Sequence, residues 1–164
     1  MSIYFFDASA IVKRYIREPG SLWVREICEA RDEDQDKVHI IAIAEISRVE
    51  VAAAFGILVR RNEIPKSLGK RAYEQFTDEI DQEYQPLRLT PGILRDAANL
   101  TQRHPLKAYD AVQLAVALDF NETVKQQDLS MIFVSGDDAL LQAARAEGMA
   151  TENPFDHRDL DTAR

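Results

Sequence analysis

Apolar positions along this chain alternate between two rhythms, one suited to strands and one to helices. Residues 3–6 form a short β-branched and aromatic run, which predicts a strand. Residues 8–16 have helical spacing. Pro19 opens a second helix, from Ser21 to near Ala30, because proline suits a first turn. Residues 31–37 form a charged loop. Residues 38–43 are almost continuously apolar, as a strand buried on both faces must be. Residues 47–61 read as an alanine-rich helix. Ile64, Leu68, Ala72, Phe76 and Ile80 recur every four residues and mark an amphipathic helix that stops before Pro86. Residues 87–89 read as a short strand and residues 91–103 as a helix closed by His104 and Pro105. Helical spacing returns over residues 111–118, followed by an expected polar loop at 121–128. A strand over 131–134 and a helix over 139–147 complete the pattern, with Gly148 where a helix C-cap belongs. From Thr151 onward the chain is polar and reads as trailing over the surface. No internal repeat, low-complexity tract or linker interrupts it. Alternating strands and helices in one domain predict a parallel sheet covered on both faces.

Length and composition sharpen this reading. At 164 residues the chain is one domain's worth, and 46% hydrophobic with 29% charged residues is an ordinary globular balance. Cys28 is the single cysteine, so no internal disulfide forms. It lies in a helix-like run and reads as a small buried apolar group. No secretory leader is visible, since the apolar run before Asp7 is too short. Nor does any apolar run approach the ~18 residues of a membrane span. A soluble protein of the reducing cytoplasm is expected. The formal net charge of −8 counts against broad, sequence-blind nucleic-acid binding, which needs a basic surface. It leaves room for a nuclease, because acids gathered around metal ions add negative charge that bound cations reverse locally. Substrate affinity then comes from a local basic stripe. An acidic protein also suits a basic partner.

In a parallel sheet, ligands bind beyond the carboxyl ends of the strands. Asp7 directly follows the first strand, and Asp137 follows the strand at 131–134. Glu50 lies in the first turn of the helix after the second strand, and Asp110 begins another helix. Each has an ordinary alternative. Ser47 with Glu50 fits a capping box, Asp110 with Gln113 resembles one, and Asp137 fits a plain N-cap. Asp7 is harder to explain structurally, because little favours an acid at the end of an apolar strand. If the four converge, like charges raise one another's pKa unless a cation intervenes. An oxygen-only donor set suits Mg2+ or Mn2+. None of the three histidines lies in these segments, which argues against zinc and against a catalytic triad. No Gly-rich phosphate loop is present.

These segments, in this order, resemble the PIN-domain family, above all the VapC-like toxins of toxin–antitoxin systems. The run from Tyr4 through Asp7 to Lys13 resembles the family's opening strand, metal-binding Asp and following helix. Ser47-Arg48-Val49-Glu50 with the alanines after it resembles the Glu-bearing helix. Tyr109-Asp110-Ala111 is the most specific likeness, and Phe133-Val134-Ser135-Gly136-Asp137 resembles the closing strand and last Asp. Of the adjacent pair Asp137 and Asp138, the likeness favours Asp137. It implies an α/β fold, a three-layer α/β/α sandwich around a five-stranded parallel sheet, occupying residues 1–154 ahead of a polar tail at 155–164. It also implies cleavage of single-stranded RNA with Mg2+ or Mn2+.

On this reading Asp7, Asp110, Asp137 and Glu50 are both the catalytic and the metal-holding residues. Ser9 and Ser135 orient those carboxylates, with local capping as the alternative. Lys13, Arg14 and Arg17, placed on the first helix, and Arg48 are candidates to meet RNA phosphates, against a solvated, ion-paired helix face. Glu45 reads as solvated or a cap. Tyr109 reads as core, with base stacking as the alternative. The resembled toxins imply a protein antitoxin and a homodimer. For the dimer, the 64–80 helix with Phe55 and Leu58 offers apolar surface, unless it simply packs on its own domain. A PIN-type nuclease of RNA maturation and a catalytically silent binding module with the same fold stay open. A haloacid dehalogenase-type phosphatase is disfavoured because Ser9 stands where its second Asp belongs. A receiver domain is disfavoured because Asp7 stands alone and no lysine follows Val134 closely.

Overall fold

Strand β1, Ser2–Phe6, forms the middle of the sheet in the computed structural model, which describes residues 2–162. It pairs in parallel with β2 (His39–Ala44) on one side and with β4 (Met131–Val134) on the other. Short strands close the two edges. β3 (Gln85–Leu87) lies outside β2 and β5 (Ala150–Glu152) outside β4, giving the order β3-β2-β1-β4-β5, all parallel.

Side chains along a strand alternate between its two faces, so each strand feeds two cores. Ile3, Phe5, Ala42, Ala44, Met131 and Phe133 face one way. They meet α5 (Pro91–Arg103), α6 (Ala108–Lys125) and α7 (Asp138–Ala146). Phe6, Ile41, Ile43 and Val134 face the other way. There they meet α1 (Ala8–Tyr15), α2 (Ser21–Glu29), α3 (Ser47–Arg60) and α4 (Lys66–Glu83). The expected three-layer α/β/α sandwich with its five-stranded parallel sheet is therefore the fold. On α4, Ala72, Phe76 and Ile80 are buried in this second core, so the helix packs on its own domain. Cys28 is buried there too, and burial pushes its thiol up to about 12. No helix among the described residues is long and apolar enough to cross a membrane.

The structure departs from the sequence pattern in three places. The expected loop at 121–128 is helical as far as Lys125. Leu114, Ala117, Asn121 and Val124 recur at helical spacing and are all buried, so one inward stripe carries the helix through a polar stretch. Asp128, at φ 56°, then turns the chain out of the helical course. The short strand expected at 87–89 starts earlier, at Gln85, and accommodates Pro86 because it is an edge strand. Finally, the segment read as a surface tail carries secondary structure. It adds β5 and two short 3-10 turns, Pro154–His157 and Leu160–Thr162. These dock on α2, where the His157 ring stacks on Trp23 at 4.3 Å and the Asp161 carboxylate accepts from the Gly20 and Leu22 amides. Met1, Ala163 and Arg164, which belonged to the expected domain and tail, lie outside the described residues.

Candidate active site

The chain leaves β1 toward β2 on one side, and β4 lies on the other, so the crevice beyond β1's carboxyl end is where the topology reverses. Asp7 stands there, only 5% exposed. It is the N-cap of α1, its Oδ1 accepting from the Ala10 amide at 2.9 Å and from Ser9 Oγ at 2.7 Å. Its Oδ2 accepts from Ser135 Oγ at 2.6 Å. Ser9 Oγ accepts in turn from the Gly136 amide, and Ser135 Oγ from the Asp137 amide. The ends of β1 and β4 are thereby tied together through two hydroxyls. Asp137 caps α7 through the Leu140 amide. Its neighbour Asp138 instead accepts from Asn153 Nδ2.

Glu50 approaches from α3, and the capping box expected with Ser47 is not formed. The residue at the N-cap is Ile46, without a side-chain cap bond. Instead, the buried Gln113 of α6 donates from Nε2 to Glu50 Oε2 and to Ser47 Oγ. The box suggested for Asp110 and Gln113 is absent for the same reason, since Gln113 reaches α3 and α6 is led by Lys107 without a side-chain cap. Gln113 is thus a site residue that the sequence reading passed over as a local cap. Its position three residues after Asp110, on the same inward-turned side of the helix, was the available signal.

Electrostatics show that the four acids share one region. Burial raises the Asp7 carboxyl above its ordinary value, hydrogen bonds from Ser135, Ser9 and Ala10 oppose this, and the charge of Asp110 adds to it. Glu50 is raised by burial, eased by Gln113, and raised further by Asp7 and Asp110. Asp110 is raised by burial and by the charge of Asp137, with Lys107 opposing. Buried carboxylates that repel one another hold an unbalanced negative charge, which a cation would relieve.

A model of the PIN domain matches residues 4–146, a span that contains all four acids. The chain belongs to the PIN domain family. Two curated relatives from Mycobacterium tuberculosis are ribonuclease VapC45 of strain CDC 1551 / Oshkosh and ribonuclease VapC49 of strain ATCC 25618 / H37Rv. Each is 29% identical over 121 residues, covering 72% of this chain and 76% of the relative. Among solved structures, PAE2754 from Pyrobaculum aerophilum superposes with a TM-score of 0.59 at 16% identity, over 99% of this chain and 97% of that one. FitAcB from Neisseria gonorrhoeae gives 0.56 at 16% identity, over 93% and 98% of the two chains. A toxin–antitoxin complex from Klebsiella pneumoniae gives 0.53 at 17% identity, over 93% and 98%. At such identities these likenesses speak for the PIN fold.

In this PIN domain the cations suggested for substrate contact are mostly engaged within the chain. The Lys13 side chain is 2% exposed, donates to Glu18 Oε2 and the Pro19 carbonyl, and lies 3.9 Å beneath the Phe155 ring. Arg14 is turned inward to Glu79 and Glu83 of α4. Arg48 pairs with Glu45 and Asp81. Arg17 is exposed, but it lies beyond the end of α1 at Tyr15 rather than on that helix. Tyr109, read as core, is 55% exposed beside Asp110. Gly136 also acquires a role, because a Cβ there would stand 3.1 Å from the Phe155 ring and 3.4 Å from Ser9 Oγ. A cleft of about 280 Å3 opens between Ser9, Val12, Ile57 and Phe155 beside these residues.

Proposed function

We propose that this PIN domain is a metal-dependent endoribonuclease acting on single-stranded RNA, the toxin of a toxin–antitoxin pair. The observation that carries the reading is the set of mutually repelling carboxylates at the sheet's switch point, in a family whose matching relatives are named ribonucleases. Asp7, Glu50, Asp110 and Asp137 are proposed to hold Mg2+ or Mn2+. Their oxygen-only chemistry fits such an ion. Among the described residues, no three His, Cys, Asp or Glu side chains form a ready-made cage. When bound, the ion supplies an activated water and stabilises charge on the phosphate in an in-line displacement.

The chain's own residues set the geometry for this chemistry. Ser9 and Ser135 fix both oxygens of Asp7, and Gln113 holds Glu50 toward the same crevice. A protein antitoxin fits the acidic chain, and the Klebsiella neighbour is described as a toxin–antitoxin complex. A homodimer belongs to the same reading, supported by Val49 at 64% and Ile57 at 38% exposure on α3.

The test is to incubate the purified protein and an Asp110→Asn variant with total RNA, with Mn2+ or with EDTA, and to map new ends by sequencing. Discrete cuts made only by the unaltered protein with metal are expected. Identical RNA from both folded proteins would sink the nuclease reading.

A further inference from the structure

We propose that the tip of the α3–α4 hairpin is a second RNA-binding surface, which grips the substrate's phosphate backbone and stacks one base, at a distance from the carboxylates. This rests on the ribonuclease reading above. The chain carries a net charge of −8, yet Arg60, Arg61, Lys66, Lys70 and Arg71 crowd one short segment against Glu63 alone. All five are exposed. Arg60, Lys66 and Arg71 take part in no salt bridge among the described residues. Arg61 and Lys70 meet Glu63 and Glu74 only at 3.9 and 3.6 Å, with side chains 70% and 75% exposed. Pairs so exposed hold their partners weakly.

Three of these cations converge. Arg60, Lys66 and Lys70 stand with Tyr73 around a cleft of about 300 Å3 whose floor includes Gly56 and Gly69. Gly69 lets α4 pack closely on α3, and Gly56 leaves room for the Arg60 guanidinium. A Cβ on Gly56 would stand 3.0 Å from Arg60 Nη1, and one on Gly69 would stand 2.4 Å from Val59 Cγ2. Tyr73 is 48% exposed, and its ring has no aromatic partner among the described residues. Free cations around an open aromatic face are what single-stranded nucleic acid requires, charge for the backbone and a π-face for a base. The place also suits the chemistry. Glu50 and Arg60 lie on one helix ten residues apart, roughly 15 Å along its axis. Lys13, Arg14 and Arg48 are held in ion pairs of their own and leave only Arg17 exposed among the cations first suggested, so this hairpin supplies the basic stripe.

The test uses the full chain carrying Asp110→Asn, so that RNA stays intact, and a fluorescein-labelled single-stranded RNA of about 20 nucleotides, read by anisotropy across a salt series. The triple variant Arg60→Gln, Lys66→Gln, Lys70→Gln is expected to lose at least about tenfold in affinity. Its salt slope should fall by about 2, near 0.7 for each phosphate contact removed. Tyr73→Ala should lose about fivefold or more with the slope unchanged. Exchanging the three cations among Lys and Arg should preserve binding. Should the triple variant melt early, single Lys66→Gln and Lys70→Gln variants should each lower the slope by about 0.7. Affinity and slope equal to those of the parent would overturn the proposal. So would intact RNA binding coupled to lost binding of an acidic protein. The two readings fail separately. RNA cutting that survives with a patch-independent affinity removes the patch alone, and patch-dependent binding without any cutting removes the nuclease alone.

Discussion

A carboxylate withdrawn from water begins at a disadvantage, and three acids here carry it. Burial first, and neighbouring charge after it, raise Asp7, Glu50 and Asp110 above their ordinary values. A group whose folded pKa exceeds its unfolded one binds more protons when folded, so its contribution to stability falls as pH rises through that window. The metal-free protein is therefore expected to gain stability from these acids as pH drops from neutral toward the upper carboxylate range. A divalent ion, which binds the ionised forms, should reverse that trend. Thermal midpoints with EDTA and with Mg2+ check this. The rise on adding Mg2+ should be larger at about pH 7.5 than at about pH 5.5, and should shrink in Asp110→Asn. A rise independent of pH, or equal in the variant, would separate these carboxylates from metal binding.

Helix α1 shows how an element redirects side chains that a sequence leaves ambiguous. It is eight residues long, with Ala10 and Ile11 fully buried, while Arg14 turns toward α4 and Lys13 toward the C-terminal segment. Arg14 consequently joins Glu79 and Glu83 between α1 and α4, its guanidinium 5.3 Å from the Tyr84 ring. Replacing Arg14 by Met leaves Glu79 without its cation, while Glu83 keeps Arg31 at 3.0 Å. The expected cost is about 2–3 kcal/mol by urea denaturation, below the figure for a fully buried pair because both glutamates keep some water. RNA cleavage at a temperature where the variant is folded should stay within about twofold of the original. Unchanged stability with lost cleavage would restore Arg14 as a substrate contact.

At the scale of the whole molecule, the C-terminal residues close over the N-terminal helices. Gly20 is the pivot, at φ +84°, and a Cβ there would stand 2.2 Å from the Pro154 carbonyl oxygen. Gly20→Ala is expected to cost at least the ~1–2 kcal/mol of a left-handed non-glycine residue. The added clash should loosen the segment after Asn153, which limited proteolysis would show as faster cutting there. A variant as stable and as resistant as the parent would refute the clasp. What the sequence determined by itself was local: the two apolar rhythms, hence strands, helices and a parallel sheet, and the standing of Asp7, Glu50, Asp110 and Asp137 at strand ends and helix starts. These follow from neighbours a few residues away. The tertiary structure decided what depends on distant partners. The strand order β3-β2-β1-β4-β5 is one such choice, and β5 is another, since Ala-Thr-Glu carries no apolar signal and pairs only because β4 lies beside it. Gln113 reaches Glu50 across 63 residues of chain, and Arg14 finds its glutamates on another helix. A hydrogen bond or ion pair between remote residues leaves no periodic trace, because only packing sets the distance that makes it.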